Sequence, residues 1–130
     1  ATGILGIVVI FGQIKTVHGQ IGQFLAGGVA DNQELILDAE HPTANLGRDL
    51  VSDVVIRDPR ASRGHGRIEL RRDKFMLVDQ STNGTYVTFE GEAEFVLKRE
   101  ETFLRNRGRI VFGHAWADKK TEVVEFEILG

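Results

Sequence analysis

Two short turns carry the side chains of this chain that could do chemistry. Residues 62–65 read Ser-Arg-Gly-His, and residues 81–85 read Ser-Thr-Asn-Gly-Thr. Their hydroxyl, guanidinium and amide groups are hydrogen-bond donors, and a guanidinium pairs well with the oxygens of an anion. If the two turns meet at one end of a β-sandwich, they form a cradle for an anion.

A catalytic interpretation of the same residues is weaker. Ser62, His65 and Asp79 would have to act as nucleophile, base and orienting carboxylate. A serine and a histidine in one tight loop rarely face each other as an activated pair, and no oxyanion donor is evident. The chain also lacks the glycine-rich loop followed by Lys and Ser or Thr that phosphate transfer would need. We therefore predict that this chain is not an enzyme.

Composition narrows the choice of partner. The chain has 130 residues, a net charge of −3 and no cysteine, which is typical of one globular domain without disulfides. The four histidines show no ligand spacing, so we predict no metal and no cofactor. A negative net charge argues against a nucleic-acid partner. Six arginines are nevertheless close together, which suits a small anionic partner: Arg57, Arg60, Arg63, Arg67, Arg71 and Arg72.

The apolar segments are too short to cross a bilayer. The longest, residues 4–11, is far below the length of a membrane-spanning helix, and it lacks the basic start of a signal peptide. We therefore predict no membrane insertion and a cytoplasmic location.

Short apolar or alternating segments, separated by Gly, Asn and Asp turns, recur along the whole chain. This pattern predicts an all-β sandwich or barrel. The Asn83-Gly84 pair further predicts a hairpin between its two flanking strands. The predicted strands are residues 4–11, 34–37, 43–46, 51–56, 66–70, 75–78, 86–89, 94–97, 102–104, 109–112 and 123–129.

The first part of the chain follows a different pattern. We predict a domain at residues 32–130 and, before it, an N-terminal extension at residues 1–31 that the sandwich does not require. Within the extension a strand is predicted near residues 4–11, and residues 13–30 are glycine-rich and suggest a loop or short helix. An apolar strand must be covered. It packs on the sandwich, on a neighbouring domain, or on a second copy of the chain in a homodimer.

Four blocks in chain order resemble the forkhead-associated (FHA) domain. They are Gly47-Arg48, residues 62–65, residues 81–85 and residues 108–113, which read Gly-Arg-Ile-Val-Phe-Gly. The resemblance covers about residues 33–128. It implies a sandwich of two antiparallel sheets that binds phosphothreonine peptides through loops at one end. Residues 75–92 and 108–114 also look like the FHA modules appended to bacterial class III adenylate and guanylate cyclases, although no cyclase core is present.

The resemblance also implies a role for each matching residue. Asn83 would hydrogen-bond the peptide backbone on both sides of the phosphothreonine, and Arg60 would read an acidic third residue after it. For Arg60 and Arg63 a solvated surface arginine is an equal alternative. The implied phosphate-binding residues are Arg48, Ser62, Arg63 and Thr82, the peptide-binding residues Arg60, Ser81 and Asn83, and the structural residues Gly47, His65, Asp79 and Gly84.

Two functions follow from these observations. The first is a signalling module that binds phosphothreonine and docks phosphorylated protein partners. The alternative is a scaffold for phosphate-independent protein–protein interaction or oligomerisation, with the strand near residues 4–11 as its contact. Phosphorylated and unphosphorylated peptides distinguish the two.

Overall fold

The structure, a computed structural model, describes residues 5–11, 33–117 and 122–130. This part of the chain forms eleven β-strands and no helix, and every segment predicted as a strand overlaps one of them. The strands are β1 (Gly6–Phe11), β2 (Gln33–Leu37), β3 (Thr43–Gly47), β4 (Val54–Val55), β5 (Gly66–Arg71), β6 (Lys74–Asp79), β7 (Thr85–Phe89), β8 (Phe95–Leu97), β9 (Glu101–Leu104), β10 (Arg107–Phe112) and β11 (Val124–Leu129).

The strands form two sheets that face each other. One sheet has the order β2-β1-β11-β10-β7-β8, and the other has the order β4-β3-β5-β6-β9. This confirms the predicted all-β sandwich. One pair departs from the expected antiparallel arrangement, because the short strand β4 runs parallel to β3 with Leu46 opposite Val54.

The core lies between the sheets and follows the alternation of the strands. Successive side chains of a strand point to opposite faces, so every second residue enters the core. Ile68 and Leu77 from one sheet, and Val87 and Ile110 from the other, have no exposed surface. The sandwich therefore provides rigid ends for the loops.

The hairpin predicted at Asn83-Gly84 is wrong. Strand β6 belongs to the five-stranded sheet and β7 to the six-stranded sheet, so the turn crosses between sheets. Of its two central residues only Gly84 has a positive φ (95°), whereas the favoured two-residue hairpin turn needs both. An Asn-Gly pair marks a tight turn, but it does not specify which strand the returning chain will pair with.

Strand β1 is an interior strand of the six-stranded sheet. It pairs with β2 on one side and with β11 on the other, and Ile7 lies opposite both Leu37 and Ile128. Residues 6–11 therefore belong to the sandwich, and the expectation that the sandwich does not require them is wrong. The boundary predicted at residue 31 remains a prediction, and the loop or helix predicted at residues 13–30 lies outside the described residues.

Both backbone edges of β1 are paired within the chain, so a homodimer through this strand has no free edge to use. The described residues also contain no helix with the length and apolarity needed to cross a membrane.

The position of β1 gives a direct test by two matched substitutions. Ile7 is fully buried, whereas Ile36 on the neighbouring strand β2 is 51% exposed. We expect Ile7→Ala to lower the free energy of unfolding by about 3 kcal/mol, because the substitution removes most of a buried aliphatic side chain and leaves a cavity. Ile36→Ala should cost less than about 1 kcal/mol. Urea unfolding followed by tryptophan fluorescence measures both, and equal losses would contradict an interior position for β1.

Candidate anion-binding site

Three connections meet at one end of the sandwich. They are the loop after β3, the loop between β4 and β5, and the turn between β6 and β7. The N–H of Arg48 donates to the carbonyl oxygen of Ser62 at 3.0 Å, and the N–H of Thr82 donates to Ser62 Oγ at 3.0 Å. The side-chain amide of Asn83 donates to the carbonyl oxygen of Arg60 at 3.0 Å. Ser62 thus connects the loops that carry Arg48 and Thr82.

His65 holds two of these loops together from inside the core. Its Nδ1 accepts the N–H of Ser62 at 3.0 Å, and its Nε2 donates to the carbonyl oxygen of Gly84 at 3.0 Å. These two partners specify the neutral tautomer with the proton on Nε2. The ring has no exposed surface and packs edge-on against Phe112, with the ring centroids 5.0 Å apart.

The same hydrogen bonds exclude His65 as a base for Ser62. The imidazole faces the backbone N–H of Ser62, while the hydroxyl oxygen accepts a different backbone N–H, that of Thr82. A nucleophile activated by histidine needs a hydrogen bond from hydroxyl to imidazole. The arrangement is that of a structural histidine, which holds two loops together by hydrogen bonds to their backbones.

Burial lowers the pKa of His65 below its usual value. Loss of hydration disfavours the imidazolium, and this effect outweighs both the Asp79 carboxylate 3.6 Å away and the Gly84 carbonyl. His65 therefore stays neutral in the folded protein, which keeps Nδ1 free to accept the N–H of Ser62.

Asp79 organises the turn between β6 and β7. Its Oδ1 accepts the hydroxyls of Ser81 at 2.6 Å and Thr85 at 2.5 Å, and its Oδ2 accepts the N–H of Arg99 at 2.8 Å. The Ser81 oxygen in turn accepts the N–H of Gly84 at 2.7 Å. Ser81 is buried and its hydroxyl is used inside the turn, which favours a structural role; the peptide contact predicted for this residue stays a prediction.

The glycines of the site lie where two backbones approach closely. A Cβ atom on Gly47 would lie 2.0 Å from the carbonyl oxygen of Arg63. Gly84 combines its positive φ with a Cβ position only 2.9 Å from a methyl carbon of Val96. Any side chain at Gly47 would separate the loop that carries Arg48 from the loop that carries Ser62.

The exposed donors of these loops have few partners of their own. Arg48 Nε donates to the carbonyl oxygen of Ala61 at 2.5 Å, which fixes the guanidinium but leaves its two terminal nitrogens without a partner among the described residues. Within the same part of the chain, the Arg63 side chain and the Thr82 hydroxyl have no hydrogen-bond or ion-pair partner, and the Ser62 hydroxyl only accepts.

Other arginines of the molecule contact carboxylates. These pairs are Arg60–Asp58, Arg67–Glu69, Arg71–Glu69, Arg105–Glu92 and Arg107–Glu90. Arg48 and Arg63, by contrast, have no carboxylate contact in residues 5–11, 33–117 and 122–130; the same holds for Arg57, Arg72, Arg99 and Arg109. Positive charge without a carboxylate contact is therefore present on the loops that also carry Ser62 and Thr82.

Arg60 lies at the same end, but its guanidinium is held by a neighbour. Its Nε and Nη2 donate to the two carboxylate oxygens of Asp58 at 2.9 and 2.6 Å. Asp58 is buried, and its backbone N–H donates to Glu122 Oε1 at 2.7 Å. Glu122 also accepts the N–H of Arg57 at 2.6 Å.

Sequence reasoning missed these two carboxylates. Asp58 precedes Pro59 in the sequence, and such a pair indicates a bend but no partner. Glu122 lies on a distant part of the chain, and no local pattern connects it to the β4–β5 loop. The described residues contain no group of His, Asp and Glu side chains that could hold a metal ion.

Comparison with known families decides the classification. The sequence model of the FHA domain family matches residues 44–113, more than half of the chain. The chain belongs to the FHA domain family. The matched region contains all the loops that meet at this end of the sandwich. A search of curated proteins finds no match.

Solved structures show the same fold over nearly the whole chain. The first FHA domain of Mycobacterium tuberculosis Rv1747 is 17% identical, with a TM-score of 0.58 over 98% of this chain and 99% of that chain. An FHA domain of an Arabidopsis thaliana hypothetical protein is 18% identical, with a TM-score of 0.59 over 99% and 90%. The yeast Dun1 FHA domain, solved with a doubly phosphorylated peptide from Rad53, is 22% identical, with a TM-score of 0.55 over 97% and 75%.

The lowered pKa of His65 predicts how stability depends on pH. Because the pKa of His65 is lower in the folded protein than in the unfolded chain, the unfolded chain binds more protons at this residue as the pH falls below about 6.5, so stability falls as the pH decreases. Above that pH this contribution is constant. Urea unfolding between pH 8 and pH 5.5 should give a steeper decline for the wild type than for His65→Asn.

Histidine 41 provides the matched control, because its side chain is 77% exposed. His41→Asn should leave the pH dependence of the wild type unchanged. Parallel stability curves for the wild type and His65→Asn would show that His65 does not remain neutral in the fold.

Proposed function

We propose that this FHA domain is a signalling module that binds phosphothreonine peptides and so docks phosphorylated protein partners. One observation supports it most strongly. The loops at one end of the sandwich carry donors that have no acceptor in the described residues. These donors are the terminal nitrogens of Arg48, the guanidinium of Arg63 and the hydroxyls of Ser62 and Thr82. Several other arginines are paired with carboxylates. The ligand that fits is a compact anion with several acceptor oxygens.

A phosphorylated threonine meets that requirement. At neutral pH it carries a charge of about −1.5 to −2 and three acceptor oxygens. The planar guanidinium of Arg48 suits two phosphate oxygens at once, and the hydroxyls of Ser62 and Thr82 suit a third. Each charge-assisted hydrogen bond contributes about 1.5–3 kcal/mol net. Since a flexible peptide loses entropy when it binds, we expect micromolar affinity.

The donors are already held in place without a ligand. The Ala61 carbonyl orients the Arg48 guanidinium, and His65 fixes the backbone of Ser62 against Gly84. A site that needs little rearrangement loses less free energy on binding. This is the reason for assigning the buried His65, Asp79 and the glycines a supporting role rather than a direct contact.

Asn83 is proposed to bind the peptide backbone beside the phosphothreonine. One hydrogen of its amide nitrogen is used to reach the carbonyl oxygen of Arg60, which orients the side chain. The amide oxygen and the second hydrogen remain for a peptide N–H and C=O. Arg60 is proposed to favour an acidic residue three positions after the phosphothreonine, although its ion pair with Asp58 already offsets part of its positive charge.

The relatives support the same function. The Dun1 FHA domain was solved with a doubly phosphorylated peptide, and another structure reports phosphothreonine-dependent FHA interactions. A cytoplasmic signalling protein is the proposed parent, and the likeness of residues 75–92 and 108–114 to cyclase-associated modules makes a nucleotide cyclase one form of it. The alternative of phosphate-independent assembly through residues 4–11 is less favoured, because β1 is paired on both sides.

Removal of one guanidinium tests the proposal. Arg48→Ala should weaken binding of a phosphothreonine peptide at least about tenfold, because a charge-assisted hydrogen bond is lost. Arg48→Lys should restore part of the affinity but not all, since an ammonium cannot reproduce the bidentate geometry. Isothermal titration calorimetry with the phosphorylated and unphosphorylated forms of one peptide measures these differences.

Arg107→Ala is the control, because it removes the same charge from an arginine that is paired with Glu90 on the other sheet. Its affinity should stay within about twofold of the wild type, and neither alanine variant should change the thermal midpoint greatly. Undiminished binding by Arg48→Ala would contradict the assignment of the phosphate site.

A further inference from the structure

An apolar tip stands directly beside the candidate phosphate site. Leu50 and Val51 follow Arg48 in the loop after β3, and they are 83% and 85% exposed. No other large hydrophobic residue in the described ranges exposes so much of its surface. Turns in solvent normally present polar side chains, so two adjacent aliphatic residues at this position need an explanation.

The loop that carries this tip is anchored at both ends. On one side the N–H of Asp49 donates to the carbonyl oxygen of Arg63 at 3.1 Å. On the other side the Asp53 carboxylate accepts the N–H of Asn45 at 2.7 Å. Within the loop, Asp49 accepts the N–H of Val51 on its side chain and the N–H of Ser52 on its carbonyl oxygen. The polar groups are turned inward, and the two aliphatic side chains are held outward.

The distance from the tip to the phosphate site matches a short stretch of peptide. Consecutive Cα atoms are about 3.8 Å apart, so the Cα atoms of Leu50 and Val51 lie within about 8 and 12 Å of that of Arg48. An extended peptide advances about 3.3 Å per residue. A ligand whose phosphate meets Arg48 and whose chain runs toward this loop would bring a residue two to four positions from the phosphothreonine to the tip.

We propose that Leu50 and Val51 form an apolar contact that selects phosphothreonine peptides with a leucine-like side chain near the phosphorylated residue. The inference rests on the proposed phosphothreonine binding and adds an apolar determinant to the phosphate contact and to the acidic preference proposed for Arg60. The phosphate contact alone cannot distinguish one phosphorylated segment from another. Burial of an aliphatic side chain on a rigid apolar surface supplies that discrimination without a change in charge.

The test uses one phosphothreonine peptide with alanine at every flanking position, and eight derivatives with leucine placed singly at positions −4 to +4. Fluorescence anisotropy gives the dissociation constant of each. For the wild type, leucine at one position should improve binding about fivefold over the alanine peptide, which corresponds to about 1 kcal/mol. In the variant Leu50→Ser/Val51→Ser this ratio should fall to about one.

Ile36→Ser is the matched control, because it also removes an exposed aliphatic side chain, but from the edge strand β2. It should keep the fivefold ratio. If the alanine peptide binds but no position favours leucine, or if the double variant keeps the preference, the apolar contact is wrong while the phosphate site stands.

Two further results would overturn the inference for different reasons. Equal binding of the phosphorylated and unphosphorylated alanine peptides would refute the proposed function, and the apolar contact with it. If sedimentation shows a wild-type dimer that the double substitution converts to a monomer, the tip contacts a second copy of the chain instead of a peptide.

Discussion

The candidate site depends on one buried imidazole. His65 accepts from the backbone of one loop and donates to the backbone of another, and its ring has no exposed surface. A buried N–H or carbonyl without a partner costs about 1–3 kcal/mol, so both loops are tied to the same ring. The ring must be neutral to accept a hydrogen bond, and its burial keeps it neutral. The hydrogen bonds of His65 hold the backbone of the two loops in place, so a small number of surface donors is enough to form the site.

The charge distribution of the surface completes this arrangement. Across the outer face of the five-stranded sheet, Glu69 lies between Arg67 and Arg71, and Arg71 also meets Glu101. Those guanidiniums add little net field, because each has a carboxylate within hydrogen-bond distance. At the loop end the positive charge of Arg48 is uncompensated by any described residue. An acidic protein thus keeps a local attraction for an anion, and this attraction is strongest at short range.

The fold was readable from the sequence because its signals are local. Alternation of apolar residues and the Gly, Asn and Asp turns lie within each segment, and motifs such as residues 62–65 are continuous. Which strands pair with each other is not encoded locally. The Asn83-Gly84 turn was assigned to a hairpin although its strands lie in different sheets, and β1 was set apart although it lies between β2 and β11. Glu122 shows the same limit, since its partners, the N–H groups of Arg57 and Asp58, lie on a distant part of the chain.

The pairing of β1 and β2 has a consequence for how this domain can vary. Phe11 and Gln33 stand opposite each other, so the chain leaves and re-enters the sheet at neighbouring positions. Closing a longer connection between such fixed points costs only about 0.6 kcal/mol for each doubling of its length. The register through β11 and β10 to Thr85 places these two points at the ligand end of the sandwich. Residues added between these two points would leave the register of β1 with β2 and β11 unchanged, so the frame of the site does not depend on the length of this connection.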